Sequence, residues 1–418
     1  MIDINLIRTD PDFVRAALAR RGIAPRVDEI RELDERRRTL QTRIDSLRSE
    51  QKTASKEFAK LKGDDRATRQ VELAKLSDEI KELSGEWEVL DAQVKALLLE
   101  TPNLPHSSVP DGAGDENNVE VRAVGAPPSF DFEPRDHLDI GQALAVLDVE
   151  RAAKVSGSRF AYLLGQAAVL ELALVRFAVD RLGEHGFTPV VPPVLVRREA
   201  MEWTGFLPTD EAQIYKLADD EMYLVGTSEV SLAAMHQGEF LDPGSLPLRY
   251  CGISTCFRRE AGTYGKDMRG IFRVHQFDKV EMFSFTSPEG SWDEHEFLLA
   301  REEEIFGALE IPYRIVNICA GELGAPAAKK YDVEAWLPGQ AAYREVTSCS
   351  NCTDYQARRL GAKVKTESGS HLVHTLNGTA VAVGRAIIAL IENHQQADGT
   401  VAIPDALRAY TGFAKLGR

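Results

Sequence analysis

The most regular pattern of apolar and polar positions lies in the first hundred residues. After a short helix predicted over residues 11–20, apolar side chains recur three and four positions apart from residue 27 onwards. They are Ile30, Leu33, Leu40, Ile44, Leu47, Ala54, Phe58 and Leu61, and, after Gly63-Asp64-Asp65, Leu73, Leu76, Ile80, Leu83, Trp87, Leu90, Val94 and Leu97. A heptad repeat that is broken by a glycine turn predicts two antiparallel helices, each about 45 to 50 Å long, which form a coiled-coil arm over about residues 27–99.

Two interpretations of this arm are open from its pattern alone. A coiled coil can join two subunits, which would make the arm a dimerisation element. Its first helix also carries nine cations interleaved with acids: Arg31, Arg36, Arg37, Arg38, Arg43, Arg48, Lys52, Lys56 and Lys60. The break at residues 63–65 lets the segment fold back on itself, which favours an arm whose cations follow nucleic-acid phosphates.

Beyond the arm the periodicity changes. Residues 101–128 are rich in proline, glycine and acids and predict a linker. A mostly apolar stretch over residues 144–183 predicts helix, with interruptions at Gly157 and Gly165. A proline-rich strand that starts at Gly186 is typical of an edge or interface strand. Shorter strands are predicted over residues 222–225, 313–318, 331–337, 341–347 and 372–376, with a helix over residues 292–309. Hairpins mixed with helices predict an α+β fold and not a doubly wound parallel sheet.

Residues 249–285 predict a hairpin around a charged loop at residues 261–270. Alternation of side chains puts Arg273, His275, Phe277, Lys279 and Glu281 on one side of its second strand, and Arg258 with Glu260 on one side of the first. Guanidinium groups, carboxylates and one aromatic ring on a single face suit a nucleoside triphosphate. No GxGxxG or P-loop sequence occurs between a predicted strand and helix, so a Rossmann or P-loop nucleotide site is not expected.

Composition narrows the class of protein. A chain of 418 residues exceeds the roughly 250 to 300 residues of a single core, so two domains are expected. No apolar run approaches the roughly 20 residues of a membrane span, and the start lacks a secretory signal, so a cytoplasmic protein is expected. The net charge of −15 confines any nucleic-acid contact to local basic clusters. Cys349-x-x-Cys352 lacks a second cysteine pair, so no zinc site is expected.

Four separated stretches resemble one enzyme family. Phe257-Arg258-Arg259-Glu260, followed by His275-Gln276-Phe277 and Glu281, resembles motif 2 of the class II aminoacyl-tRNA synthetases. The other three are similar to the bacterial-type seryl-tRNA synthetases: Thr227-Ser228-Glu229, Glu345-Val-Thr-Ser348, and His374-Thr-Leu-Asn-Gly-Thr379 leading to Gly384-Arg385. Their order and spacing agree nearly from end to end of the chain, which makes the resemblance far more specific than any single motif.

The resemblance implies a domain organisation. It implies an N-terminal tRNA-binding domain over residues 1–105 that contains the arm, a linker over residues 106–134, and a catalytic domain over residues 135–418. The catalytic domain would have the antiparallel class II sheet of six or seven strands, flanked by helices. Motif 1, centred on Pro192, would build a homodimer interface, and the arm would grip the long variable arm of the serine tRNA.

The resemblance also implies an activity and its residues. The activity is ATP-dependent activation of L-serine to seryl-adenylate, with Mg²⁺, and transfer of serine to tRNA(Ser) and, in hosts that have one, tRNA(Sec). Arg258 would bridge the serine carboxylate and the α-phosphate, Arg385 would hold the γ-phosphate, and Phe277 would stack on adenine; catalytic roles fall to Arg258, Glu260 and Arg385. The implied ATP site is Arg258, Arg259, Glu260, Arg273, Val274, Phe277, Glu345, Val346, Thr347, Ser348 and Arg385, with Glu345 and Ser348 as metal ligands. The implied serine site is Thr227, Ser228, Glu229, Arg258, Glu281, Asn377 and Thr379.

Two other functions compete with this interpretation. An aminoacyl ligase that loads a carrier protein would share the catalytic motifs, but such relatives lack the paired-helix arm. A catalytically inactive RNA-binding paralogue would keep the arm, and the intact Arg258, Glu260, Glu345 and Arg385 argue against it. Serine-dependent exchange between ATP and pyrophosphate separates the inactive paralogue from the two enzymes.

Overall fold

The computed structural model describes residues 1–262, 267, 269–367 and 369–417, and it separates into two compact units. The smaller unit comprises Ile2–Ala19 and Ile23–Thr101, and the larger comprises Met1, Arg20–Gly22 and Pro102–Arg418. Two units agree with the expectation from chain length. The finer division at residues 105 and 134 stays a prediction. No helix within the described residues is long and apolar enough to cross a membrane.

The smaller unit is helical, as the heptad pattern predicts. Its long helices are α3 (Val27–Phe58) and α4 (Asp64–Glu100), preceded by α1 (Ile4–Thr9) and α2 (Pro11–Arg20). Gly63 joins the long pair with a φ of 63°, a conformation that suits glycine. The heptad positions that are buried are Ile30, Ile44, Leu47 and Ala54 in α3 and Leu90, Val94 and Leu97 in α4. Leu73 and Leu76, near the turn, are only half-buried, so the far end of the pair has the thinner core.

One carboxylate ties the helices of this unit together. Asp34 of α3 is 1% exposed and accepts hydrogen bonds from Arg8 of α1 (Nε, 2.7 Å), Arg37 (Nη2, 2.7 Å) and Arg38 (Nε, 3.2 Å). Arg37 also pairs with Asp91 of α4. Burial acts to raise the pKa of Asp34, but the hydrogen bonds from Arg8 and Arg37 outweigh it, so the pKa lies below its usual value.

We predict that Asp34→Asn lowers the free energy of unfolding of the chain by about 2 kcal/mol, because charged hydrogen bonds to Arg8 and Arg37 are lost. Helical circular dichroism during thermal unfolding measures this loss. Since the folded pKa is depressed, the stabilisation is present above the unfolded pKa and disappears as the pH falls through the folded one, so the gap to wild type should close in acid. Asp45→Asn is the matched control on α3, because Asp45 is exposed and accepts from Gln41. An equal effect of both variants would contradict the prediction.

The larger unit is built around a mixed set of strands and helices, as the α+β expectation requires. Its helices are α5 (His137–Ala143), α6 (Val149–Ser156), α7 (Gln166–Glu184), α8 (Arg198–Thr204), α9 (Glu229–Ala234), α10 (Ser291–Ala308), α11 (Tyr355–Leu360), α12 (Val383–Asn393) and α13 (Asp405–Thr411). Its strands are β1 (Val119–Val124), β2 (Leu147–Asp148), β3 (Tyr162–Leu163), β4 (Thr188–Val190), β5 (Leu195–Arg197), β6 (Tyr215–Lys216), β7 (Met222–Leu224), β8 (Phe240–Leu241), β9 (Leu248–Phe257), β10 (Gln276–Thr286), β11 (Tyr313–Asn317), β12 (Lys329–Leu337), β13 (Ala342–Asn351), β14 (Lys363–Thr366), β15 (Gly369–Leu372), β16 (His374–Ala382), β17 (Val401–Ala402) and β18 (Lys415–Leu416).

The main sheet of the described residues has eight strands in the order β1-β11-β12-β13-β16-β10-β9-β4. Neighbours are antiparallel except β4, which runs parallel to β9 at the edge. The expectation of six or seven strands is therefore wrong by at least one. The additional edge strand, β1, lies in the predicted linker, and all six of its residues are exposed, so it has no apolar face that the sequence pattern could reveal.

Most other predicted elements are confirmed, with one difference. The helical stretch over residues 144–183 is interrupted at the two expected glycines: Gly157 and Gly165 both adopt positive φ, and the short strand β3 lies between α6 and α7. The strand predicted over residues 372–376 continues to Ala382 as β16. Residues 263–266 and 268 of the predicted hairpin loop lie outside the described residues, whereas both of its strands are present as β9 and β10.

One face of the sheet is covered by helices, and this packing fixes the site. Side chains of α7, α10 and α12 form a continuous buried cluster with the inward residues of β10, β12, β13 and β16. Representative members are Leu174, Phe177, Leu298, Phe306, Ile387 and Leu390. Full burial of such side chains contributes roughly 1.5 to 3 kcal/mol each. The strands that carry the polar residues of the hairpin are therefore held from behind by the largest apolar cluster.

Candidate active site

A cavity of about 160 Å³ lies over the central strands of the larger unit. It is lined by Phe206, Thr227, Glu229, Arg258, Glu260, Ile271, Phe272, Arg273, Val274, Phe277, Lys279, Glu281, Glu345, Val346, Thr347, Ser348, Asn377, Thr379, Ala382, Gly384 and Arg385. Strand β10 runs through its floor, paired with β9 on one side and β16 on the other.

Arg258 follows the end of β9 and faces the ring of Phe277 on β10. Its guanidinium carbon lies 5.3 Å from the ring centroid, and its Nε donates a 3.2 Å hydrogen bond to the carbonyl of Gly226. The backbone N–H of Arg258 donates to the carbonyl of His275, which closes the mouth of the hairpin at 3.0 Å. The structure records no ion pair between Arg258 and Glu260 among the described residues, so the guanidinium is positioned by a carbonyl and a ring and keeps donors for a ligand.

One end of the cavity collects buried polar groups from three elements. Thr227 and Glu229 lie at the start of α9, Glu281 lies on β10, and Asn377 and Thr379 lie on β16. Asn377 donates to the Glu229 carboxylate at 3.0 Å, and Thr379 donates to Glu281 at 3.3 Å. The register of β10 against β16 shifts between Val280 and Glu281, and Glu281 is paired with Thr379. These residues, which the resemblance assigned to the amino acid, are therefore brought together.

The two carboxyl groups at this end are hard to ionise. Burial, and then the charge of Glu281, raise the pKa of Glu229 to about 7. Burial also raises the pKa of Glu281, although the ammonium group of Lys279 opposes the shift. Behind the sheet, burial raises the pKa of Glu302 well above its ordinary value; its Oε2 accepts from Thr347 at 2.9 Å. This end of the cavity therefore offers carboxyl groups that gain from a bound cation.

The opposite end is basic, and its side chains are more exposed. Arg385, in the first turn of α12, lies 3.1 Å from the Glu345 carboxylate and donates a 2.9 Å bond to the Glu345 carbonyl. Although burial raises the pKa of Glu345, the charges of Arg385 and Lys330 prevail and lower it to about 2. Arg273 reaches Glu260 at 3.5 Å and Asp267 at 2.8 Å. Cations at a helix start, with ionised oxygens beside them, suit phosphate groups.

The backbone at the end of the hairpin loop is fixed by a buried histidine, which sequence reasoning did not identify. His137 Nδ1 lies 2.8 Å from Glu392 Oε1, and His137 Nε2 accepts a 3.2 Å hydrogen bond from the Ile271 N–H. Since Nε2 accepts, Nδ1 must carry the proton that is donated to Glu392. Gly270 has a φ of 81°, and a Cβ there would lie 2.1 Å from His137 Nε2, so the close approach needs glycine.

Two predicted site residues are not brought into the cavity. The Ser228 hydroxyl is fully buried against Gly252 and has no hydrogen-bond partner among the described residues. The guanidinium of Arg259 lies 6.0 Å from the Tyr215 ring, and neither residue lines the cavity. The other predicted residues line it. Their individual roles stay predictions.

The cavity also contains residues that the sequence analysis left without a role. Lys279 is the most consequential, because its ammonium group lies among the residues of the acidic end. The alternation along β10 had placed it beside Phe277 and Glu281, and that signal was sufficient to find it. Phe272 was not predicted: Arg385 lies 4.7 Å and Arg344 lies 4.2 Å from its ring centroid.

The cavity offers few side-chain ligands for a metal ion. Glu345 and Ser348 present the hard oxygen ligands that Mg²⁺ prefers. No group of three or more His, Cys, Asp or Glu that could hold a metal ion occurs within the described residues. The five cysteines are buried and free. A divalent ion at this site would therefore need further ligands from a phosphate-bearing substrate.

The sheet, the hairpin and the cavity together define a class II aminoacyl-tRNA synthetase core. Residues 214–394 match the model of the tRNA synthetase class II core domain (G, H, P, S and T), and residues 1–105 match that of the seryl-tRNA synthetase N-terminal domain. Together with relatives that are about half identical over the whole length, these matches show that the chain belongs to the seryl-tRNA synthetase family.

The similarity covers nearly all of this sequence and nearly all of each relative. The serine--tRNA ligase of Acidothermus cellulolyticus is 51% identical over 413 residues, which are 99% of this chain and 98% of that protein. The crystal structure of seryl-tRNA synthetase from Pyrococcus horikoshii complexed with ATP is 46% identical, with a TM-score of 0.95 over 100% of this chain and 99% of that one. The cytoplasmic serine-tRNA ligase of Naegleria fowleri in complex with AMP is 36% identical, with a TM-score of 0.89 and the same coverage.

Proposed function

We propose that this protein activates L-serine with ATP to form seryl-adenylate and then transfers the seryl group to tRNA(Ser). The observation that carries the proposal is the division of one cavity into a basic end and an acidic end, with Arg258 and Phe277 between them. A nucleoside triphosphate needs the first end, and the ammonium and hydroxyl groups of an amino acid need the second. Membership of the seryl-tRNA synthetase family makes serine the amino acid.

Arg258 is the group that we assign to the reaction itself. Its guanidinium faces the junction of the two ends, where a serine carboxylate would attack the α-phosphate of ATP. A fixed cation at that point stabilises the negative charge that develops in the transition state without reorganising first. Phe277 would stack on the adenine, and Arg385 would hold the γ-phosphate. Glu345 and Ser348 would hold Mg²⁺, which supplies charge neutralisation on the phosphates when it is bound.

We predict that Arg258→Ala lowers serine-dependent ATP–pyrophosphate exchange by about a hundred- to a thousandfold, or about 3 to 4 kcal/mol, because one preorganised donor is lost. Arg198→Ala serves as the control, since Arg198 pairs with Glu202 on α8 and does not line the cavity. An Arg258→Ala enzyme that keeps exchange within threefold of wild type would refute the assignment.

A second prediction concerns the choice of amino acid. A site that bonds a substrate hydroxyl rejects the analogue without it by about 10⁴ to 10⁵, because the buried polar groups are left unpaired. Glu281 and Thr379 would make those bonds, so the enzyme should select against alanine without a separate editing site. Comparing exchange rates with serine and with alanine tests this, and Glu281→Ala should erode both the rate and the discrimination. Similar rates for the two amino acids in the wild-type enzyme are the contrary result.

The arm of the smaller unit is the proposed tRNA-binding element, and its cations fall into two groups. Arg37 and Arg43 are engaged within the arm, with Asp91 and with Glu79. Arg48, Lys52 and Lys56 are exposed at four-residue spacing on α3, and none of the described residues forms a recorded ion pair with them. Side chains four apart share one face of a helix. This strip therefore fits the phosphate backbone of a tRNA better than the paired cations do.

We predict that the two half-reactions depend on different parts of the chain. Arg43 and Glu79 lie 2.9 Å apart across α3 and α4, so residues 44–78 can be replaced by a short glycine linker. The proposed ATP and serine ligands all lie at or beyond Thr227, so adenylate formation should persist while tRNA charging is lost. Exchange assays measure adenylate formation, aminoacylation assays measure tRNA charging, and sedimentation measures the oligomeric state. A truncated protein that becomes monomeric and loses both activities would support a dimerisation arm instead.

The proposed role of the arm also predicts how the affinity for tRNA depends on salt. Replacing Arg48, Lys52 and Lys56 with alanine should reduce the slope of log affinity against log salt by about one unit per lost contact. Arg69→Ala is the control, since Arg69 pairs with Glu57 and Glu72. Serine activation should respond little to salt in every variant.

We further propose that two copies associate, through the region of motif 1. Apolar side chains are exposed on three elements of the larger unit: Val155 on α6 (71%), Leu172 on α7 (70%) and Val191 just after β4 (81%). Such exposure favours burial against a partner. Charging of tRNA(Sec) where the host has one, and a cytoplasmic location, stay expectations from the family and from the proposed activity.

A further inference from the structure

A lysine occupies the acidic end of the cavity, and the roles assigned above leave it unused. Lys279 is 5% exposed, and its Nζ donates to the Thr227 hydroxyl at 2.8 Å and to the Thr379 hydroxyl at 3.4 Å. It also forms an ion pair with Glu281 Oε2. Its three partners are the residues that would surround serine, so a buried cation already lies within the proposed amino-acid site.

The charges around Glu281 make this cation necessary. The negative charge of Glu281 raises the pKa of Glu229 from α9, of Cys251 from β9 and of Glu302, which lies behind the sheet on α10. The positive groups that act on it are Lys279 of β10 and Arg258, and Thr379 of β16 adds a hydrogen bond. Lys279 is the one in direct contact. Without Lys279, Glu281 and Glu229 would be two buried carboxyl groups, and burial together with their mutual repulsion would favour the neutral form.

The geometry of the pair also orients the carboxylate. The recorded contacts from Lys279 and from Thr379 both fall on Glu281 Oε2. Holding one oxygen from two sides fixes the plane of the carboxylate, and it leaves Oε1 to accept from a bound ligand. A protonated carboxyl in the same place would present a donor or a weaker acceptor to a substrate hydroxyl.

We propose that Lys279 is a positioning residue that holds Glu281 ionised and oriented toward the serine hydroxyl, and that it thereby contributes to the discrimination between serine and alanine. The inference rests on the proposed function, because it concerns the same amino-acid site. A different role is possible for a cation at this point: Lys279 would hold the place of the substrate ammonium and leave when serine binds. The two roles predict opposite effects on serine binding.

The test is Lys279→Met, which keeps an unbranched side chain of similar length and removes the charge. Exchange kinetics are measured with serine and with alanine. The kcat/KM for serine should fall by about a hundredfold, which is the usual scale for breaking a buried charge pair. The kcat/KM for alanine should fall by less than about tenfold. Activity toward serine requires ionised Glu281. Because Lys279 lowers the pKa of that carboxyl, its loss should move the acid limb of the serine pH profile to higher pH.

A double-mutant comparison separates positioning from general damage. In a Glu281→Gln background the carboxylate is absent, so Lys279→Met should lower kcat/KM for serine by less than about threefold, and the pH shift should vanish. Lys329→Met is the matched control: Lys329 of β12 is 9% exposed and lies 4.4 Å from the Tyr331 ring, outside the cavity. It should change thermal stability and leave the ratio of serine to alanine rates unchanged. Lys279→Gln replaces Lys279→Met if the latter fails to fold.

Three results would overturn the inference. One is an equal loss for serine and alanine with an unchanged pH profile, which would mean that Lys279 only supports the fold. Another is a lower KM for serine in Lys279→Met, as the place-holding role predicts. The third is an undiminished effect of Lys279→Met in the Glu281→Gln background. A wild-type protein that shows no serine-dependent exchange would instead refute the proposed function itself.

Discussion

The constraint on which the larger unit depends is the balance of buried charge over the central strands. Strands β9, β10 and β16 are paired along almost their whole length, so their backbone groups are satisfied, and side chains alone decide what the cavity can hold. Removing a charge from water costs several kcal/mol unless a partner compensates it. Glu229, Glu281 and Glu302 come from three separate elements and meet within one region. Lys279 and Arg258 offset part of this charge, and a substrate ammonium would offset more.

At the two ends of the cavity, burial and neighbouring charges shift the pKa of a glutamate in opposite directions. At the acidic end, burial dominates and the pKa of Glu229 rises to about 7. At the basic end, Arg385 and Lys330 dominate and the pKa of Glu345 falls to about 2. A cationic group is therefore favoured at the first end, and a phosphate with its counter-ion at the second. This difference orients an amino acid and a nucleotide relative to each other before either makes a specific hydrogen bond.

Sequence reasoning predicted the elements around the cavity where their signals are local. The heptads predicted α3 and α4, and the alternation of charged residues with Phe277 predicted the hairpin and the cavity floor. It failed where the signal is not local. Strand β1 has no buried face, so only its pairing with β11 identifies it. His137 reaches Ile271 from a helix 134 positions earlier. Ser228 follows Thr227 in its motif, but its hydroxyl packs against Gly252 instead. Each depends on tertiary contacts that one sequence does not display.

In the smaller unit, the cations that stabilise the fold are different from those proposed to bind tRNA. Near Asp34, guanidinium groups pair with carboxylates that are buried or lie on the opposite helix, so Arg8 and Arg37 hold the helices together. Farther along α3 the apolar core thins, and Arg48, Lys52 and Lys56 remain exposed. A cation that already has a carboxylate partner must give up that partner to bind a phosphate, whereas an exposed lysine loses mainly water and side-chain entropy. Binding of a polyanion should therefore be carried by the residues that contribute least to folding, and the ion pairs around Asp34 can persist while it occurs.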